Sequence, residues 1–231
     1  MTRNNILFGA AALALVAGVA FAATPKLPNL TPFPARDVQI ENRSDGTRLL
    51  RFSTVSWNNG VGPLEIRAGA VDTGSGKQQV FQRVYQSDGT YIDQSAGWFE
   101  YHPTHGHIHF NDYALYTLQP VNAPGGSEKI GAKTTFCIMD TTRVNTRLPG
   151  AAKKATYKTC GSSVQGMSVG WGDRYGYSLD GQFIDITGLP DGDYALSIQV
   201  DPKSVITEGN ELDNVSVLNV RLQGGTVKVL P

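Results

Sequence analysis

Leu189-Pro190-Asp191-Gly192-Asp193-Tyr194-Ala195-Leu196-Ser197-Ile198-Gln199-Val200 is the stretch on which the fold turns. Pro190, Asp191 and Gly192 have the chemistry of a tight turn: a preset φ, a side chain that bonds its own backbone, and a residue free to take positive φ. After the turn, Tyr194, Leu196, Ile198 and Val200 alternate with Ala195, Ser197 and Gln199. A period of two is that of a half-buried strand.

The same texture extends outward. Apolar, β-branched or aromatic runs at 48–57, 80–85, 132–139, 183–187, 215–222 and 227–230 are predicted strands. Asn58-Asn59-Gly60 closes the first run, and Ser87-Asp88-Gly89 follows the second. No stretch has convincing amphipathic helical spacing. Many short strands, with 26 glycines and 12 prolines in 231 residues, predict an all-β fold, an antiparallel β-sandwich with long loops and little helix.

The first 22 residues read as a secretory signal peptide. Arg3 supplies the positive end, residues 6–20 the apolar run, and Ala20-Phe21-Ala22 the small-x-small site, with cleavage after Ala22. The run is short for a spanning helix, which needs about 20 residues; an uncleaved anchor is the alternative. The mature chain is therefore expected to be secreted or periplasmic. Residues 23–40 follow as an extended arm spaced by Pro25, Pro28, Pro32 and Pro34, and 41–231 as one domain.

Charge narrows the partners. Twenty basic residues balance twenty acidic ones, and no basic stripe or charge run appears. Capture of nucleic acid or of an anionic membrane therefore has no support. In an exported chain the two cysteines, Cys137 and Cys160, read as one disulfide worth about 3 kcal/mol. Two separate buried thiols are the alternative.

All four histidines lie in Trp98-Phe99-Glu100-Tyr101-His102-Pro103-Thr104-His105-Gly106-His107-Ile108-His109-Phe110. On a strand, His105, His107 and His109 project from one face while Ile108 and Phe110 point into the core. Gly106 makes the distortion that lets three rings converge inexpensive. Three neutral imidazoles suit copper, zinc, nickel or iron(II), and copper binds such ligands most tightly. The alternative is a set of hydrogen-bonded histidines that holds nothing. His102 is out of phase and suits a hydrogen-bonded or substrate-side role. A zinc hydrolase is disfavoured, because no glutamate stands at helical spacing from a histidine pair.

These residues resemble the catalytic domain of the lysyl oxidase family, in a short form without accessory domains and of prokaryotic type. The family's copper segment is a tryptophan-bearing stretch leading into His-x-His-x-His, and 98–109 is similar to it, His102 included. Lys133-Thr134-Thr135-Phe136-Cys137-Ile138-Met139-Asp140-Thr141 is similar to a second family segment. Gln165-Gly166-Met167-Ser168, Asp173-Arg174-Tyr175 and 182–187 resemble the stretch around its cofactor tyrosine. The likeness covers about 95–222, with a weaker match at Leu50-Arg51-Phe52.

The resemblance implies copper on His105, His107 and His109. It also implies a lysine tyrosylquinone (LTQ) cofactor made from Lys133 and Tyr175. The implied activity is a copper-dependent amine oxidase of protein-lysine 6-oxidase type. Primary amines, peptidyl lysine or small amines, are converted with O₂ to aldehydes, releasing ammonia and hydrogen peroxide. Vertebrate members carry a histidine near Tyr116 that is absent here, so Asp173 becomes the candidate base. They also place a cysteine where Thr104 stands, which favours the Cys137–Cys160 pairing. Read without the resemblance, Lys133 is an ordinary strand lysine and Tyr175 a packed tyrosine, with Tyr177 its nearest competitor. The second functional class is a copper-binding β-sandwich adhesion or binding module without a mature quinone. The acidic stretch 201–214 could hold calcium, although such turns usually satisfy their own backbone.

Overall fold

The structure is a computed structural model that describes residues 22–102, 106–122, 128–131 and 133–231. All of the expected signal peptide except Ala22, together with His105 and Ala132, lies outside the described residues. Within them the chain is strand and loop without helix, and every strand pair is antiparallel.

Among the described residues seventeen strands, numbered along the chain, form three sheets. The first is centred on β15 (Gly192–Val200), flanked by β9 (Ala114–Pro120) and β16 (Val215–Gln223), with β10 (Lys129–Ile130) and β17 (Thr226–Val229) outside them. The alternation predicted for β15 is what the sheet uses. Tyr194, Leu196, Ile198 and Val200 are buried, while Ala195, Ser197 and Gln199 are only partly so. Fully burying each large apolar side chain contributes about 1.5–3 kcal/mol.

The second sheet runs β12 (Val164–Met167), β5 (Leu64–Val71), β6 (Gln78–Gln86), β7 (Tyr91–His102), β8 (His107–Phe110), with β1 (Pro25–Lys26) also on β6. The third runs β11 (Thr142–Arg143), β13 (Trp171–Tyr175), β4 (Arg48–Asn58), β14 (Phe183–Asp185), with β2 (Leu30–Pro32) and β3 (Arg36–Asn42) on β4. The proline-spaced arm is thus zipped onto β6 and β4, and Leu30 is wholly buried. Leu50 and Phe52 of β4, Leu64 and Ile66 of β5, and Leu118 and Leu196 of the first sheet share one core.

Six of the predicted runs fall on β4, β6, β14, β15, β16 and β17 within two residues at either end. The run at 132–139 is the exception. Its described part is extended but makes only an isolated bridge, Phe136 to Phe110. Side chains intercept the backbone that a ladder would need. The Ile138 N–H donates to Gln165 Oε1 (3.0 Å) and the Met139 N–H to Asp173 Oδ2 (3.2 Å). Phe136 itself meets the rings of Tyr113, Tyr116 and Tyr175 edge-on, with centroids 5.6, 5.9 and 4.8 Å away. Through these rings and its bridge to Phe110 it ties β8, β9 and β13 together.

Cys137 and Cys160 form a disulfide with Cα atoms 5.3 Å apart, as the pairing required. It closes the loop that runs from the 133–139 segment through β11 to the start of β12. Replacing both cysteines with serine is expected to lower the unfolding free energy by about 3 kcal/mol, the effect of freeing a loop of this length. A urea midpoint equal to that of the wild type would contradict this.

Candidate functional site

β7 and β8 form a hairpin in register Phe99 to Phe110, Glu100 to His109, Tyr101 to Ile108 and His102 to His107. Gly106 turns the chain at φ +68°, and its N–H bonds the His102 carbonyl at 2.9 Å. Phe110 is fully buried and Ile108 packs on the core, which fixes the rotation of β8. Its other face then brings His107 Nε2 and His109 Nε2 to 2.9 Å.

These two nitrogens are close enough for a single ion to take both as ligands. His109 is buried, and its Nδ1 lies 2.9 Å from Thr135 Oγ1. Donation from Nδ1–H to that hydroxyl leaves the Nε2 lone pair facing His107, the orientation a ligand needs. His102 arrives from β7, its ring centroid 4.8 Å from that of His109. The phase argument on a single strand therefore does not place it; the hairpin does.

Lys133 and Tyr175 come together beside this pair. Lys133 is 7% exposed, and its Nζ stands 5.4 Å from the centroid of the Tyr175 ring and 5.0 Å from that of Phe136. Burial lowers the Lys133 ammonium below its ordinary pKa, opposed by the charges of Asp180 and Asp173. Gly181, at φ +73°, closes over its stem: a Cβ there would lie 3.2 Å from Lys133 Cβ. Tyr175 donates its phenol hydrogen to the Cys137 carbonyl at 2.6 Å, and burial raises its pKa well above the ordinary value.

Asp173 lies two residues before Tyr175 on β13 and shares its face. It is 2% exposed, accepts the Met139 N–H and the Thr141 hydroxyl (3.1 Å), and is pushed up to about 8, chiefly by burial. These groups line one cavity of about 340 Å³, which takes in His107, His109, Lys133, Asp173 and Tyr175 and has the disulfide and Leu179 in its wall. A second recess of about 520 Å³, lined by Glu100, Asp180, Lys133 and His109, adjoins it.

Tyr177 is not part of this arrangement. β13 ends at Tyr175, and Tyr177 is exposed, its N–H on Ser53 Oγ and its carbonyl on Arg51. Nothing in the sequence marks Thr135 or Asp180 as neighbours of the histidines; only the fold does. Elsewhere, Asp201, Glu208 and Glu211 bring carboxylate oxygens within 4.8 Å of one another. Asp201 caps the N–H groups of Val205 and Ile206, and Glu208 accepts from Leu30 N–H and the Asn214 amide. Asp201 thus satisfies its own turn's backbone, as expected, whereas Glu208 reaches the distant arm at Leu30.

The family model described as lysyl oxidase matches residues 79–230. Lysyl oxidase homolog 1 of Homo sapiens is 33% identical over 127 residues, which are 54% of this chain and 21% of that protein. Lysyl oxidase homolog 3B of Danio rerio is 32% identical over 130 residues, 56% of this chain and 15% of that protein. Lysyl oxidase homolog 2 of Homo sapiens is 28% identical over 191 residues, 82% of this chain and 20% of that protein. The matches thus span about a fifth or less of these relatives' length. The match extends from β6 across the histidine hairpin, the 133–139 segment and β13 to β17, and on that basis this chain belongs to the lysyl oxidase family.

Proposed function

We propose that the chain is an exported, copper-dependent amine oxidase that converts primary amines, peptidyl lysine or small amines, to aldehydes, ammonia and hydrogen peroxide. The observation that carries this reading is the position of Lys133 Nζ, 5.4 Å from the Tyr175 ring in a cavity shared with His107 and His109. His105, His107 and His109 are the residues to hold copper. Copper held there would supply, with O₂, the oxidising power for a quinone built from Tyr175 and Lys133, which would serve as the electron sink for the amine.

The chain's own groups suit the remaining tasks. Burial depresses the Lys133 pKa, which raises the share of free amine, the nucleophilic form. Phe136 and the Cys137 carbonyl fix the plane and direction of the Tyr175 ring. Asp173, its pKa pushed up to about 8 chiefly by burial, is the group we assign to take the proton from the carbon beside a bound amine. Met139, Leu179 and the disulfide give the cavity an apolar wall. The disulfide also suits an oxidising compartment. A copper-binding module without the quinone, the other reading, gives no reason for a buried lysine amine beside the Tyr175 ring.

The test is amine-dependent peroxide release from copper-loaded, aerated protein, followed across pH. Asp173 acts as a base only when ionised, so kcat/KM should rise as pH increases through about 8. Asp173→Asn should lower it and remove that limb; a limb that persists removes Asp173 from the role. No peroxide with any amine at any pH ends the oxidase reading.

A further inference from the structure

The chain has three methionines, Met1, Met139 and Met167. Met1 falls in the expected signal peptide, and Met167 is wholly buried at the end of β12. Met139 differs from both. It is partly exposed and lines the cavity that takes in His107, His109, Lys133 and Tyr175. Its place follows from the extended 133–139 segment, on which alternate residues share a face. Thr135 meets the His109 ring, Cys137 carries the disulfide, and Met139 comes next along that face. Two contacts hold it there. Its N–H donates to Asp173 Oδ2 at 3.2 Å, and its Sδ lies 3.7 Å from Cys160 Sγ.

A thioether sulfur takes an oxygen atom from hydrogen peroxide without acid, base or metal. The sulfur lone pair forms the new S–O bond as the O–O bond breaks. The departing hydroxide takes the proton of the transferred oxygen and becomes water. Sulfur loses two electrons, and the peroxide gains them. Among the described residues no cysteine is free, and the two disulfide sulfurs are already oxidised. The Met139 sulfur is therefore the soft, oxidisable atom in the wall of this cavity.

We infer that Met139 is a sulfoxidation site, oxidised by the peroxide that amine turnover releases in its own cavity, and that the sulfoxide slows further turnover. The source of the peroxide rests on the oxidase reading; the selectivity for Met139 over Met167 does not. Oxidation turns a flexible apolar side chain into a polar one. In a wall shared with Leu179 and the disulfide, a polar oxygen without a partner should lower kcat/KM about tenfold.

Two measurements test the parts separately. In the first, the copper-free full chain is exposed to hydrogen peroxide in the presence of a chelator. After reduction and alkylation, trypsin places Met139 in peptide 134–143 and Met167 in peptide 159–174. Met139 should gain one oxygen at least about tenfold faster, because the buried Met167 reacts only when the structure opens. Comparable rates, or faster reaction at Met167, overturn the site. In the second, copper-loaded protein oxidises an amine in air with catalase in the medium. Activity should decline as Met139 gains oxygen, and fully oxidised protein should keep about a tenth of its starting kcat/KM. Met139→Leu preserves an apolar wall of similar volume. Measured against its own starting rate, this variant should decline more slowly than the wild type. Wild-type turnover that never declines overturns the self-oxidation, as does an equal decline in Met139→Leu. A decline that catalase abolishes assigns the oxidation to peroxide in the medium and overturns transfer within the cavity. Absence of all amine oxidation refutes the oxidase reading alone, because the first measurement still decides the site.

Discussion

Lys133→Ala and Tyr175→Phe should each reduce amine turnover to background while copper content stays at the wild-type level. Neither side chain belongs to the histidine group, so neither loss should disturb metal uptake. Both remove half of a covalent pair. Phenylalanine keeps the ring and its edge-on packing on Phe136, but lacks the phenol oxygen from which a quinone starts. Alanine at 133 removes the amine that stands 5.4 Å from that ring. Arginine at 133 should fail as well, since a guanidinium stays protonated and cannot act as the nucleophile. In the wild type, aeration with copper should join the tryptic peptides that carry the two residues. The same incubation should produce a visible band and reactivity toward a hydrazine. Copper-loaded Lys133→Ala that still oxidises amines disproves the cross-linked cofactor.

Replacing His107 or His109 with alanine should remove both properties together. Each change deletes one member of the 2.9 Å nitrogen pair, and with it one of the three proposed ligands. The cross-link should then fail to form even with Lys133 and Tyr175 intact, because its oxidation needs the metal. Bound copper is read by mass spectrometry or atomic absorption after desalting. Full copper retention with His105, His107 and His109 all replaced would end the metal assignment. Loss of turnover without loss of copper would move these residues from ligation to another task.

The sequence made some of this legible and hid the rest, for reasons that lie in particular residues. Tyr194 to Val200 could be read because one face of β15 is buried and the other is not, so period two is written in side-chain type. β9, with Ala114, Leu115, Tyr116, Thr117 and Leu118, mixes helix and strand formers, and only its pairing with β15 decides between them. The 133–139 run has strand composition but loses its ladder to Gln165 and Asp173, which lie some 27 and 34 residues from the atoms they hold. At the site, His107 and His109 were visible through spacing on one strand. His102 joins them through a hairpin, a long-range fact. Lys133, Asp173 and Tyr175 drew attention through resemblance alone, since nothing in their local pattern separates them from ordinary strand residues. Thr135 and Asp180 carried no mark at all.

The hairpin that carries the histidines also sets an order in time. β7 and β8 are adjacent in the chain and meet across a turn at Gly106, and hairpins of this kind close in about 1–10 μs. Lys133 and Tyr175 are forty-two positions apart in sequence. Tyr175 reaches its place only when β13 pairs with β4, more than a hundred residues earlier in the chain. Contacts of such separation form late, because their loop entropy must be overcome first. A folding chain is thus expected to close its histidine hairpin before the tyrosine and lysine face each other. Tyr175 takes its final direction only once Phe136 and the Cys137 carbonyl hold it, so on the oxidase reading its oxidation would wait for the folded chain.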